Sequence, residues 1–309
     1  MSAIPWIGQD IVESKNIAEN FTVVAIISML PTIGTVSTHA LKKGNKSIRL
    51  DKKEYFSTPW SFLAFLAGLI DGDGYIQITK STKGFITIKL VISIHLDDIS
   101  TLQYIKSVLK LGKITINRDH KSPNCRLIIN RTDLQEVLFP LLIQNGIFFL
   151  TETRRNQFDL AMFILKNDIK IYDKLPTKGK VPSIFKSPKT ASDYASLAFF
   201  KNWIVGFTMS EGSFFVKKNN DSCFQLKQRV HVMLFEAFKL VFETTRKIET
   251  ENNLYNQFSV SSKADIQTVI NFFSFSGLHP LIGLKNIQYL KWLIILGNSS
   301  RYSNLNFPQ

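Results

Sequence analysis

Apolar residues recur along this chain in two rhythms, and the order of the rhythms repeats. Residues 62–70 are almost wholly apolar and run into Asp71, Asp73 and Gly74. A helix over residues 62–73 is predicted, buried on all sides, with Ser61 as its N-cap and Gly74 as a left-handed stop. YIQITK, from Tyr75, alternates with Ile76 and Ile78 inward, and FITIKLVISI, from Phe85, does the same. With Lys83-Gly84 as the turn they make a hairpin. Ile99, Leu102, Ile105 and Leu109 form a helical stripe over 98–109. KITINR and CRLIIN then give a second strand pair, and 134–143 and 151–166 give further helices. The order is α-β-β-α-β-β-α.

Residues 167–198 break this pattern with Pro176, Pro182, Pro188 and six lysines, which predicts a basic linker, either tracking a phosphate backbone or merely solvated. The rhythm then returns. Residues 203–212, WIVGFTMSEG, are again apolar and end in an acid and a glycine. SFFVKK and CFQLKQRV follow, then a helix over 233–245, a hairpin of KIET and YNQFSV turning at Asn252-Asn253, and helices over 266–275 and 287–296. An internal duplication is the strongest organisational signal in the chain.

The two apolar runs carry small residues four apart: Ala64, Gly68 and Gly72 in one, Asn202, Gly206 and Ser210 in the other. Such ridges let two helix backbones approach closely. If these helices pack side by side, Asp73 and Glu211 emerge together at one end. Two adjacent carboxylates repel unless a cation lies between them, and an all-oxygen ligand pair suits Mg²⁺ or another divalent cation. Asp71 has no acidic counterpart, since Met209 occupies its place, so it reads as a helix-end residue. Along the strands, Gln77, Thr79, Thr87, Lys89, Gln225, Lys227 and Arg229 fall on polar faces, an alternation shared by a merely solvated sheet face and by one whose side chains meet base edges or phosphates.

Composition narrows the partners. The chain has 309 residues, 45% of them hydrophobic, enough for a sizeable core, and a net charge of +14, which favours a polyanion. Two cysteines and five histidines without ligand spacing argue against a zinc cluster or a disulfide framework. The apolar run at 21–30 stops at Pro31, short of the ~20 residues a membrane helix needs. Secretory and transit signals are not evident.

LAGLIDGDG at 66–74, with its looser copy IVGFTMSEG at 204–212, resembles the LAGLIDADG homing endonucleases in their single-chain, two-motif form. The resemblance covers about residues 60–300. It implies an α+β fold of two pseudo-symmetric αββαββα halves, each with a curved antiparallel sheet in the DNA major groove, packed through the two motif helices. It also implies a monomeric, metal-dependent endonuclease that cuts both strands of a long site, with Asp73 and Glu211 as metal ligands. Glu211 stands where the family more often has Asp. By the same resemblance Lys285 is a basic residue near the scissile phosphate, matched in the first half by Arg155 or Arg154. Gln228 sits where a glutamine orients water, with His95 in a related part.

Ser2 to Ser14, SAIPWIGQDIVES, resembles a stretch of mitochondrial cytochrome b. An intron-encoded protein read in frame with an upstream exon would carry such a segment and be translated in the mitochondrion. The expected division is an exon-derived and leader segment at 1–56, a first half at 57–166, the linker at 167–198 and a second half at 199–309. Two other functions compete: an RNA-binding maturase that assists splicing of the host intron, and a DNA-binding module that no longer cuts.

Overall fold

The computed structural model describes residues 52–176 and 181–309; the expectations for residues 1–51 lie outside the described residues. Helices of eight residues or more are numbered α1–α7 and strands β1–β8. The first half contains α1 (Trp60–Asp73), β1 (Gly74–Lys80), β2 (Ile86–His95), α2 (Ile99–Leu109), β3 (Lys113–Asn117), β4 (Asn124–Asn130) and α3 (Glu152–Lys166). The second contains α4 (Phe200–Glu211), β5 (Gly212–Val216), β6 (Ser222–Arg229), α5 (Val232–Val241), β7 (Glu249–Glu251), β8 (Tyr255–Val260), α6 (Lys263–Ile270) and α7 (Gly283–Gly297). Each half builds one four-stranded antiparallel sheet, ordered β1-β2-β4-β3 and β5-β6-β8-β7. The α+β, two-sheet architecture that the family resemblance implies is the observed one.

Each sheet keeps one face in the core. Ile76, Ile88, Leu90, Ile92, Leu127 and Ile129 are buried in the first half, and Phe214, Phe224, Leu226, Phe258 and Val260 in the second. The repeat is one of topology more than of core chemistry. The first sheet packs on aliphatic branches, whereas the second is aromatic, with Phe214 and Phe224 stacked at 5.0 Å and Phe224 edge-on to Phe258 at 6.3 Å.

Helices α1 and α4 lie against each other at the centre, and their glycines set the spacing. A Cβ on Gly68 would overlap the Trp203 carbonyl and stand 2.8 Å from Phe207 N. One on Gly206 would overlap the Phe65 carbonyl and stand 2.9 Å from Leu69 N. Backbone therefore meets backbone, reciprocally, with no side chain between.

Asp71 fastens this pair to the rest of the first half. Its carboxylate is buried and accepts from Leu150 N (2.7 Å), Thr151 N (3.1 Å), Thr151 Oγ1 (2.5 Å) and Trp203 Nε1 (2.8 Å). One side chain thus joins α1, the entry to α3, and α4. Burial pushes its carboxyl up to about 6 against the pull of these donors. The helix-end reading of Asp71 is sharpened to that of a buried anchor.

Several details depart from expectation. Helix α1 starts at Trp60 with Pro59 in the N-cap position, not Ser61, and has no side-chain cap. Gly74 is extended (φ −95°), not left-handed; glycine is needed there because β1 folds sharply back over the helix end, where a Cβ would stand 2.7 Å from Ile70 Cα. Gly212 is alike, at φ −94° with Thr208 O 2.6 Å from such a Cβ. The helix expected over 134–143 is a π-helical segment, Leu134–Leu138, leading into Phe139–Gln144. Pro140 has no N–H to give an ordinary helical bond, which favours a break there. The helix expected over 266–275 likewise runs only Lys263–Ile270 before a π segment, and the one over 287–296 extends to Gly283–Gly297. The linker is not merely a solvated tether. Ile86 N donates to Lys170 O (2.8 Å), Lys80 pairs with Asp173 (2.8 Å), and buried Asp159 accepts from Ser183 Oγ and Ile184 N.

Three substitutions test this framework by thermal melting. Gly206→Ala overpacks the helix contact and should cost on the order of 3 kcal/mol, or about 8 °C in Tm. Gly297→Ala, which meets nothing within 4 Å, should leave Tm within a degree or two. Asp71→Ala strands three buried N–H donors and should cost roughly 3–5 kcal/mol. Equal melting temperatures for Gly206→Ala and Gly297→Ala would contradict the close helix approach.

Candidate active site at the paired helix ends

The parallel ends of α1 and α4 deliver Asp73 and Glu211 to one place. The approach is close enough that a Cβ on Gly72 would overlap Ser210 Oγ and lie 3.3 Å from Glu211 Cγ. Burial pushes the Asp73 carboxyl up to about 6, opposed by the charges of Lys285 and Arg154 and reinforced by Asp98. Glu211 is pushed further, to about 7, by burial and by the Asp73 carboxylate beside it. Among the described residues no hydrogen bond is donated to Asp73. Glu211 Oε1 accepts one, from Gln228 Nε2 at 2.6 Å. Two desolvated carboxylates with free oxygens form a donor set that fits a hard divalent cation. Among the described residues no cluster of three or more His, Cys, Asp or Glu adds a fuller ligand cage.

Two basic residues flank the acids in matching positions. Arg154, on α3, donates from Nε to Ile70 O (3.2 Å) and from Nη1 to Gln157 Oε1 (3.5 Å). Lys285, on α7, donates from Nζ to Gly212 O (2.6 Å) and Gln288 Oε1 (3.1 Å). Burial lowers the pKa of both, while the nearby acids raise it. Arg154, not Arg155, is therefore the first-half residue directed at the acid pair. Arg155 is one step round the helix and faces Tyr194 and His231 instead. The sequence held a signal for this register: a basic residue followed three positions later by glutamine occurs in both halves, as Arg154…Gln157 and Lys285…Gln288.

Asp98 is a site neighbour that sequence reasoning missed. From the start of α2 in the first half, its Oδ1 accepts from Leu284 N (2.9 Å) at the start of α7 in the second. Thr101 Oγ1 donates to the same oxygen at 2.9 Å. Gly283 has φ +53° there, and a Cβ on it would overlap Asp98 and Thr101. The helix carrying Lys285 is thus held by the opposite half.

Strand alternation decides where the remaining candidates point. Gln228 lies on the inner face of β6 with Leu226 and reaches Glu211, whereas Gln225, Lys227 and Arg229 lie on the other face. Gln77 is opposite Lys89, and Thr79 opposite Thr87, on the polar face of the first sheet. The same faces also hold Lys113, Thr115, Arg126 and Asn130 in the first sheet, and Gln257 in the second. The alternation of KITIN and NCRLIIN carried that information. His95 does not share the place of Gln228. Ile92 pairs with Gly74 as Leu226 pairs with Gly212, so the counterpart of Gln228 is Ile94. His95 is exposed at the strand end, 3.3 Å from the Asp97 carboxylate.

Comparison with known proteins finds the same family in both halves. The family model for LAGLIDADG endonucleases matches residues 66–164 and 204–296, one segment in each half. A probable intron-encoded endonuclease aI3 of Dictyostelium discoideum is 23% identical, over 77% of this chain and 96% of its own length. Its namesake from Kluyveromyces lactis is 28% identical, over 73% of this chain and 63% of that one. A cox1 intron-2 protein of Schizosaccharomyces pombe is 25% identical over 87% of this chain and 79% of its own. Among solved structures, the I-LtrWI LAGLIDADG homing endonuclease bound to target DNA superposes with a TM-score of 0.58 at 19% identity, covering 79% of this chain and 91% of that one. I-SmaMI bound to an uncleaved DNA target with calcium ions gives 0.57 at 18% identity, covering 76% and 91%. Among the described residues no helix is long and apolar enough to cross a membrane. With both motif segments matched and the acids brought together as the fold requires, the chain belongs to the LAGLIDADG endonuclease family and is a nuclease, a hydrolase.

Proposed function

We propose that the protein is a site-specific, divalent-metal-dependent DNA endonuclease that hydrolyses a phosphodiester on each strand of one long duplex site. The observation that carries this reading is the shared position of Asp73 and Glu211, at the foot of the glycine-spaced helix pair and between two sheets with polar outer faces. A divalent cation bound there would neutralise the phosphate and activate the attacking water; Mg²⁺ is the natural candidate. Asp73 and Glu211 would hold it, each through the carboxylate oxygens of a partly buried side chain. Gln228, fixed by its bond to Glu211, would orient a water for in-line attack. Lys285 and Arg154 supply positive charge beside the acids for the phosphate oxygens. Water adds to phosphorus as the P–O bond to the leaving sugar oxygen breaks and that oxygen takes up a proton.

The polar faces would occupy the major groove, with Gln77, Thr79, Thr87 and Lys89 in one half-site and Gln225, Lys227 and Arg229 in the other. A single chain carrying both halves would act as a monomer, with residues 57–166 and 199–309 as the halves and 167–198 joining them. The intron-encoded relatives, with the cytochrome b-like residues 2–14, support an organellar gene and a mitochondrial location. The same relatives support a second reading, as an RNA-binding maturase for the host intron, which a splicing assay with purified protein would separate from cleavage.

Purified protein with Mg²⁺ should cut intronless cytochrome b DNA, and Asp73→Asn or Glu211→Gln should lower the rate at least about a hundredfold while retaining binding. Undiminished cutting by both variants would overturn the acid assignment. A pH dependence follows from the raised carboxyls. Between about pH 4 and pH 7 the folded protein holds protons that the unfolded chain has released, so in a chelator its stability should fall as pH rises through that window. The double variant Asp73→Asn/Glu211→Gln should reduce this fall to the part that the buried Asp71 carboxyl contributes, and melt on the order of 5 °C higher at about pH 8. Mg²⁺ should raise the wild-type Tm more at about pH 8 than at about pH 5.5. A wild-type melting temperature that does not fall with pH in chelator would contradict the desolvated pair.

A further inference from the structure

The two sheets differ in a respect that their shared topology does not demand. Among the described residues, the polar face of the first carries Lys89, Lys113 and Arg126 and no acid. Strand β7, the outer edge of the second, adds Glu249 and Glu251 to the face of Lys227 and Gln257: Glu249 and Lys227 both lie opposite Gln257, and Glu251 lies opposite Tyr255. These side chains are paired, not scattered. Lys227 Nζ bonds to Glu251 Oε2 and stands 5.5 Å from the Tyr255 ring centroid, while Gln257 Nε2 donates to Glu249 Oε2 at 3.0 Å.

A carboxylate facing a duplex is repelled by every phosphate. Its favourable neighbours are the exocyclic amines of cytosine and adenine, which point into the major groove. A lysine beside it offers the complementary group, a donor for guanine O6 and N7. One base pair presents both patterns side by side: the amine of cytosine and the two acceptors of guanine. We propose that Lys227 and Glu251 together select a C·G base pair in the half-site read by the second sheet. This rests on the DNA-cleavage reading above and deepens it. In the free protein the pair neutralises itself, and Gln257 with Glu249 keeps the β7 edge in register beside it. An exposed ion pair of this kind is weak, so opening it onto a base pair costs little. The first sheet, with cations and no acid, has no equivalent device and would read its half-site through Gln77, Thr79 and Lys89.

The test is selection of bound duplexes from a random double-stranded DNA library in Ca²⁺, with the full chain as wild type, Glu251→Gln and Glu251→Ala, after equal melting temperatures have established that all three are folded. The wild type should yield a consensus with a C·G pair at one position of one half-site. Both variants should lose that preference by on the order of tenfold while keeping the other positions. Both should also bind random duplex more tightly at low salt, because a repelling charge is gone. An unchanged consensus in both variants overturns the proposal, as does loss of preference at an A·T position in place of C·G. A wild type that selects no consensus overturns the DNA reading itself, and this inference with it.

Discussion

Everything in this protein depends on how closely two helix backbones can approach. Gly68 and Gly206 each lie where a methyl group would strike the carbonyl of the other helix. With any larger residue the helices would separate, and the acids at their ends would separate with them. The approach rests on dense packing of backbone against backbone, while Trp203 and Phe207 stack at 4.6 Å within α4. Asp71 then converts the contact into a joint, since its carboxylate bonds both to Trp203 on α4 and to the chain leading into α3.

The site exploits a conflict that packing creates. Burial favours neutral carboxyls and pushes both Asp73 and Glu211 upward, with the Asp73 carboxylate raising Glu211 further and Asp98 raising Asp73. Lys285 and Arg154 relieve only part of this, because both are desolvated and tied to carbonyl and amide oxygens. The remainder is an electrostatic debt that a divalent cation can discharge. The two halves also brace each other: Asp98 of the first holds the start of the helix bearing Lys285 in the second. The site is therefore a property of the whole chain, and neither half contains it.

Much of this was legible in the residues. The small-residue ridges announced the helix contact, and the recurrence of an acid and a glycine at each ridge's end announced the pair, because period and residue size are local properties. The sheets followed from alternation. What escaped reading was set by tertiary contact. Whether Arg154 or Arg155 faces the acids depends on the phase of α3 against α1, and only the matching glutamines three positions on carried a hint. Asp98 sits in a short turn with no pattern around it. Of the two glycines that follow the acids, Gly74 was misread as a left-handed stop. The φ of both is ordinary, and what demands glycine there is the space lost where the strand folds back on its helix. The linker's proline and lysine content spoke of a tether, yet Asp159 and the β1–β2 hairpin hold parts of it in place.

The most direct measurement is anomalous diffraction from a crystal of the full chain with duplex DNA and Mn²⁺. A composite site predicts manganese peaks bounded by the Asp73 and Glu211 carboxylates, with Lys285 and Arg154 against the phosphates on either side. Metal bound elsewhere, or by one carboxylate with the other turned away, would contradict it.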